Sequence, residues 1–306
     1  MKAVVISLDA ELAWGFHDLQ DPPVERIEHA RGSWNRLVDL FERGDVPATW
    51  AVVGHLFLDE CDGTHADHPA AGDGWFATDP GGDRVANPNW FGRDLLDRIR
   101  ESDVDHDIGS HTFSHVEFGK ADTSREVADA ELRLANEAAE AYGVDLDSLV
   151  FPRNNVGHLD VLADNGFTCY RGNQVPRWYH RLPVTAPGKF AEYALGLSTP
   201  PVFDPTVDEH GLVNVPASLY LYGFEGAARS LVSPLTDQPI LRQVKAGLES
   251  LARRDEGVFH LWLHPNNVVT EADFQRMVAV VDLINEYRRN HDVTVETMRD
   301  VAASVR

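Results

Sequence analysis

Continuous apolar runs alternate with amphipathic helical stretches along nearly the whole of this chain, and that alternation restricts its fold more than any other feature. The β-type runs are AVVISLD (3–9), ATWAVVG (48–54), HDIGSH (106–111), SLVFP (148–152), FTCY (167–170), LVNVPA (212–217), VFHLWLH (258–264) and VTVET (293–297). Several are apolar on both faces, as strands of a parallel sheet covered on both sides are. Helical periodicity is predicted between them at about 25–44, 90–101, 122–142, 158–165, 238–254 and 271–289. Strand then helix, repeated, predicts an α/β architecture with right-handed crossovers, and so many units point to a TIM-like barrel. An open doubly wound sheet is the competing topology. No glycine-rich turn follows the first strand to support a nucleotide-binding version of it.

Two stretches break the rhythm, 55–89 and 171–211, both rich in turn-forming residues. Neither requires a domain boundary, so they are read as long loop insertions in one domain spanning 1–306, of the kind that form lids or binding loops. The 306 residues carry 49 acidic against 27 basic side chains, a formal charge of −22. That field disfavours nucleic acid and anionic membranes as partners. With only four lysines (Lys2, Lys120, Lys189, Lys245), the composition resembles that of proteins from salt-loving organisms. Cys61 and Cys169 are too few and too far apart to suggest a disulfide framework or a thiolate zinc site, and Cys169 reads as buried filler in a strand. The sequence opens directly on a strand without a signal-type apolar region, and no run is long enough to span a bilayer. A cytoplasmic, non-inserted protein is expected, its oligomeric state left open.

Polar residues cluster where the predicted strands end. Asp9 and Glu11 follow the first strand, His111 and His115 the third, Arg153 and Asn154 the fourth, and His264 closes VFHLWLH. In a parallel barrel these ends converge on one rim, where active sites lie. His111 and His115 are four apart, so a helical turn would face both imidazoles toward one ion. Asp9 and Glu11 end a buried strand, where unpaired carboxylates are costly and a shared cation would remove the cost. Two carboxylates beside one metal can divide labour, one as ligand and one as base. Trp14, His17, Trp75, Trp90 and Trp178 are candidates for a sugar-stacking surface, with partial burial in the core as the competing role.

These residues resemble the polysaccharide deacetylases of the NodB-homology type (carbohydrate esterase family 4-like), whose fold is a distorted (β/α)7 barrel. IGSHTFSH is similar to the family's H-[ST]-x-x-H motif, carried here by His111, Thr112 and His115. The resemblance implies that Asp9 is the catalytic base and that a divalent metal is held by His111, His115 and Glu11. Zinc suits that donor set, with cobalt or manganese as alternatives. The family's two acids are adjacent, whereas Ala10 separates them here, so Glu11 replaces the usual ligand, with His17 the alternative third donor. Arg153 in FPRNN corresponds to the family arginine that orients the base. The family's oxyanion tyrosine is missing, and Asn154 or a backbone N–H takes its place. His264 matches the general acid. The implied reaction has a metal-bound water attack an acetamide carbonyl while His264 protonates the departing amine.

The expected function is therefore hydrolysis of a non-peptide C–N amide bond, most directly N-deacetylation of an N-acetylated amino sugar in a glycan or its precursor. An allantoinase-like or imidase-like hydrolase acting on a small cyclic amide is the alternative. A non-catalytic glycan-binding relative is the third reading, opposed by the joint presence of Asp9, His111, His115 and His264.

Overall fold

The computed structural model describes residues 1–174, 198–223 and 239–306. Its centre is β1 (Lys2–Ala10), nine residues whose Ala3–Ala10 portion is wholly buried. A strand inaccessible on both faces must be flanked by other strands and covered by helices. β1 pairs in parallel with β2 (Thr49–Val52) along its C-terminal half and with β12 (Thr294–Glu296) near its start. Its other edge carries the long strand β11 (Gly257–Leu263), in a register running from Lys2↔Gly257 to Leu8↔Leu263.

From β2 the sheet continues through β5 (Asp107–Ser110), β6 (Ser148–Val150), β7 (Cys169–Arg171) and β9 (Val213–Asn214), every pairing parallel. β10 (Leu219–Tyr220) then pairs with β11. The segment 213–221 joins the two ends of the sheet. Val215 and Ala217 donate backbone hydrogen bonds to Tyr170 and Gly172 beside β7, while Ser218 and Leu221 donate to His260 and Trp262 of β11. Counting that segment once, seven staves among the described residues curl around the core, in agreement with the expected distorted (β/α)7 barrel. β8 (Thr206–Val207) adds an antiparallel edge to β9.

The helices fall close to their sequence periodicities: α1 (Val24–Gly44), α2 (Arg93–Arg100), α3 (Arg125–Tyr142), α4 (Leu159–Asp164), α5 (Pro239–Ala252) and α6 (Glu271–Asn290). α3 starts where the Ser124 side chain accepts from Val127 N–H and stops at Gly143 in the left-handed region (φ 84°). A further helix, α7 (Met298–Val305), was not expected; its signal is the capping box in which Thr297 and Asp300 satisfy each other's backbone N–H groups. It packs Met298, Val301 and Ala302 against Ala3, Val5 and Cys169, closing the strand-entry end of the barrel. No described helix is long and apolar enough to cross a membrane.

The insertion 55–89 is compact. It contains a two-stranded antiparallel ribbon, β3 (Glu60–Cys61) with β4 (Gly82–Asp83), and short 3₁₀ turns. Much of the second insertion, with Trp178, lies outside the described residues.

His106 sits just before β5, its ring between Phe41 and Trp50, and its Nδ1 accepts from Ala48 N–H at 3.1 Å. Its Nε2 is buried without a hydrogen-bond partner, and burial pushes the imidazole down to about 4. The unfolded chain takes up this proton near pH 6.5, the folded chain only near 4. Between those values the unfolded state binds more protons, so His106 costs stability as pH falls through that window. The loss of stability between about pH 7 and about pH 4.5 is expected to be about 2 kcal/mol smaller in His106→Gln than in the wild type, measured by denaturant midpoints.

Candidate functional site

The C-terminal ends of β1, β5, β6, β7 and β11 deliver the site. Asp9 lies in the last turn of pleat on β1, and its carboxylate is held at both oxygens by Arg171 from the end of β7. Nη1 to Oδ1 is 2.6 Å and Nη2 to Oδ2 is 2.8 Å. Both side chains are essentially inaccessible. Arg171 also donates to Ser7 Oγ (3.1 Å) and Asn154 Oδ1 (2.9 Å), and its guanidinium lies 4.4 Å from the centre of the Trp262 ring. Burial alone would raise the Asp9 carboxyl. Arg171, aided by His264 and His111, more than offsets this and holds it below the usual carboxylate range.

Glu11 turns back over the barrel mouth. Its Oε2 lies 3.2 Å from His115 Nε2 and 3.6 Å from His111 Nε2, while Oε1 accepts from Asn266 Nδ2 at 3.0 Å. Asn266 is itself fixed by Arg26, which donates to its backbone oxygen (3.2 Å) and its Oδ1 (3.1 Å). Burial opposes ionisation of Glu11 too, but His264, His111 and His115 leave its carboxyl well below the ordinary range. Gly15 leaves the room this needs: a Cβ there would stand 2.2 Å from the Glu11 carboxyl carbon.

The two histidines face one point by a route other than the expected helical turn. Residues 112–114 form a tight turn, with Thr112 (φ 61°) and His115 (φ 68°) in the left-handed region. For a β-branched threonine that conformation is strained and must be imposed by surroundings. Gly54 and His55 N–H groups donate to the Thr112 and Phe113 carbonyls (2.7 and 2.9 Å), and Ser114 binds the buried Glu131 of α3 through backbone and hydroxyl. His111 Nδ1 meets the Val150 carbonyl at 2.7 Å. A carbonyl only accepts, so Nδ1 carries the proton and Nε2 offers a lone pair. That Nε2 is buried without a hydrogen-bond partner. The His111, His115 and Glu11 donor atoms all lie within 4.8 Å of one another, a spacing that could hold a metal ion.

His264 faces the acids from β11, with Nε2 3.7 Å from Asp9 Oδ2 and 3.9 Å from Glu11 Oε1. Behind it, Asn267 Oδ1 accepts from His264 N–H (2.9 Å) and from Tyr220 Oη (2.9 Å), with His264 Nδ1 at 3.3 Å. An acceptor at Nδ1 places the proton there in the neutral ring and turns Nε2 to the cavity. The cavity, about 330 Å³, is lined by Asp9, Glu11, His115, Asn154, Tyr220 and His264 among others. A second cleft of about 470 Å³ adjoins it at Leu19 and includes His17, Trp75 and Glu117.

Three expectations change. Arg153, expected to orient Asp9, instead pairs with Asp18 (2.6 Å) and Glu117 (3.0 Å) at the cavity rim. Its left-handed backbone (φ 52°) swings the side chain outward, and the guanidinium on Asp9 comes from Arg171. Trp14 is fully buried against Trp90, His55 and His17, its Nε1 donating to the Trp90 carbonyl, so it supports the site from below rather than stacking on a ligand. His17 does not join the Glu11 cluster. It lines the second cleft edge-on to Trp75, and burial and His115 push it down to about 4. Arg171 and Asn266 are not among the residues expected from sequence; the signal for Arg171 is a charged residue directly after the predicted buried strand 167–170.

The family model described as polysaccharide deacetylase matches residues 20–169. Over that span, just under half of the chain, the sequence resembles the polysaccharide deacetylase family. The span includes the His111–His115 turn but neither Asp9, Glu11 nor His264. Among solved structures, the chain is similar to a protein described as a polysaccharide deacetylase from Mycobacterium smegmatis, at 18% identity and a TM-score of 0.62, covering 99% of this chain and 89% of that one. A probable polysaccharide deacetylase from Pseudomonas aeruginosa PAO1 aligns at 16% identity and 0.58, over 98% and 89%. Puue allantoinase aligns at 14% identity and 0.58, over the same shares. These likenesses show the shared fold. No curated protein matches the sequence.

The arrangement predicts unequal roles for the two arginines. Arg171→Met leaves Asp9 buried without its counter-charge and is expected to destabilise the fold by about 3–5 kcal/mol. Arg153→Met, at the partly exposed rim, is expected to cost under about 1 kcal/mol. Urea unfolding of both variants checks the ranking.

Proposed function

We propose that this chain is a metal-dependent hydrolase of C–N amide bonds that removes the acetyl group from an N-acetylated amino sugar. The observation that carries the reading is the convergence of Glu11, His111 and His115 beside a carboxylate, Asp9, kept ionised by Arg171. The buried, unpartnered His111 Nε2 is the mark of a donor set suited to a cation. Two imidazoles and a carboxylate suit zinc, with cobalt and manganese as alternatives. When bound there, the metal supplies Lewis-acid polarisation of the carbonyl and acidifies water.

The chain's own groups supply the proton transfers. Asp9 takes the proton of the attacking water, its acceptor oxygens aimed by the two-point contact with Arg171. In its doubly protonated form His264 gives the Nε2 proton to the nitrogen as its bond to the acyl carbon breaks, Nδ1 donating to Asn267 on the far side of the ring. Asn154 has its oxygen committed to Arg171, which leaves its amide hydrogens as donors at the cavity wall for the carbonyl oxygen. Water and the acetamide thus yield acetic acid and a free amine, Asp9 gaining one proton as His264 loses one.

Two adjoining clefts support an extended sugar substrate: the acetamide in the first, further sugar units along Trp75 and the polar rim of Asp18, Glu117 and Arg153 in the second. A small cyclic amide would fill the first cleft alone. In this reading residues 1–306 act as one catalytic domain.

The test is acetate release from N-acetylated oligosaccharides, with release of product from small cyclic amides run alongside. Metal-loaded wild type is expected to release acetate; Asp9→Asn is expected to lose about 10²–10⁴ in kcat with metal retained. Turnover of cyclic amides alone would transfer the assignment to the small-amide reading. Gly15→Ala, which drives a methyl group into the Glu11 carboxylate, is expected to weaken metal binding at least about tenfold, read by competition with a chromophoric chelator.

A further inference from the structure

A second group of metal-type donors lies outside the site just described. His55, Cys61, His65 and Asp79 bring one nitrogen each from two imidazoles, one sulfur and one carboxylate oxygen within 4.8 Å of one another. His55 Nε2 stands 3.2 Å from Cys61 Sγ and 3.4 Å from Asp79 Oδ2; Cys61 Sγ is 3.5 Å and His65 Nε2 2.7 Å from that oxygen. A tetrahedral zinc with bonds of about 2.0–2.3 Å separates its ligands by about 3.3–3.7 Å, close to most of these spacings.

Hydrogen-bond accounting points the same way. His55 Nδ1 faces the Trp90 carbonyl at 3.2 Å, so it must be the donor and the neutral ring's Nε2 presents a lone pair. That lone pair and the Asp79 carboxylate oxygen, 3.4 Å apart, both face Cys61 Sγ, whose single S–H can satisfy only one of them. The side chains of His55 and Asp79 are inaccessible to solvent, so no bulk water separates them. A cation between the two converts opposed lone pairs into ligands. The surrounding partners also suit ligands: the Trp90 carbonyl fixes the His55 tautomer, and Asp79 Oδ1 accepts from Gly81 N–H at 2.9 Å.

The local backbone is shaped to deliver the four. Cys61 comes from β3, Asp79 lies three residues before the start of β4, and Gly63 (φ 75°) and Gly81 (φ 61°) touch where a Cβ on either would meet backbone at 3.0 Å. His65 adopts the left-handed region (φ 45°). The sequence reading discounted thiolate zinc because it looked for paired cysteines, whereas here a single cysteine is completed by two imidazoles and a carboxylate.

We propose that His55, Cys61, His65 and Asp79 form a structural zinc site that ties the 55–89 insertion back onto its own first residue, His55, just past the end of β2. All four protein donors leave no open position for a substrate, in contrast to the three-donor set of Glu11, His111 and His115. The site backs onto that set through packing. His55 lies 4.5 Å from Trp14, three residues beyond Glu11, and both His55 and His65 lie within 6 Å of Phe113, between His111 and His115.

The experiment is metal binding by the full chain, with zinc for stoichiometry and cobalt for spectroscopy. Wild type is expected to bind two equivalents of zinc, and both His111→Ala and Cys61→Ser to bind one. With cobalt, a near-ultraviolet thiolate-to-metal band is expected in wild type and in His111→Ala, and to vanish in Cys61→Ser. His65→Asn is expected to weaken the cobalt that gives this band at least tenfold. One equivalent in wild type with no thiolate band would overturn the proposal, as would a thiolate band that survives Cys61→Ser. Should Cys61→Ser fail to fold, His111→Ala decides: one equivalent with the band supports the site, and none refutes it. Loss of metal in His111→Ala without loss of the thiolate band separates this site from the proposed catalytic one.

Discussion

Two carboxylates at the buried end of one strand set the terms for everything around them. Asp9 and Glu11 lie within three positions on a segment with almost no solvent contact, and neither could stay ionised there unaided. The structure answers each charge differently. Asp9 receives a rigid guanidinium with two parallel hydrogen bonds, which fixes it permanently. Glu11 receives a single amide from Asn266 and otherwise faces imidazole nitrogens, an environment that leaves charge to be met by an added cation. The proposed division into a base and a ligand therefore rests on what compensates each acid, more than on the acids themselves.

Much of this arrangement was legible in the sequence. Apolar runs and helical periods placed the barrel staves and the large helices within a few residues, because burial on both faces leaves an unambiguous pattern. The convergence of Asp9, His111 and His264 followed from the rule that parallel strands gather their C-terminal ends. What stayed hidden depends on backbone twist and long-range contact. Arg153 and Arg171 both follow or close buried strands, and only the left-handed turn at residues 153–154 decides which one points inward. Trp14 looks like a loop aromatic until the compact fold of residues 55–89 covers it. The donors around Cys61 span 25 positions and meet only through the ribbon formed by β3 and β4.

The insertion 55–89 also changes how the histidine turn is understood. A strained Thr112 cannot hold itself in place, and the restraints come from three directions: the backbone after β2, Glu131 on α3, and Trp75, whose Nε1 donates to Ser114 Oγ at 2.9 Å. His68, also from the insertion, lies 3.0 Å from Glu131. The loop that interrupts the alternating pattern is thus part of the scaffold for the histidines.

The segment 213–221 gives the barrel a directional weakness. It is joined to β7 through two register pairs, Cys169↔Val213 and Tyr170↔Asn214, and to β11 through two more, whereas β1 and β11 share seven. Opening either seam costs less than parting β1 from β11, since opening free energy grows with the number of ladder bonds broken. Such an opening would carry Tyr220 away from His264 while leaving Glu11, His111 and His115 on the ladder of β1, β2 and β5, which share four register pairs at each step. Thermal unfolding would then proceed in two stages, with Tyr220 parting from His264 before the cluster of Glu11, His111 and His115 comes apart.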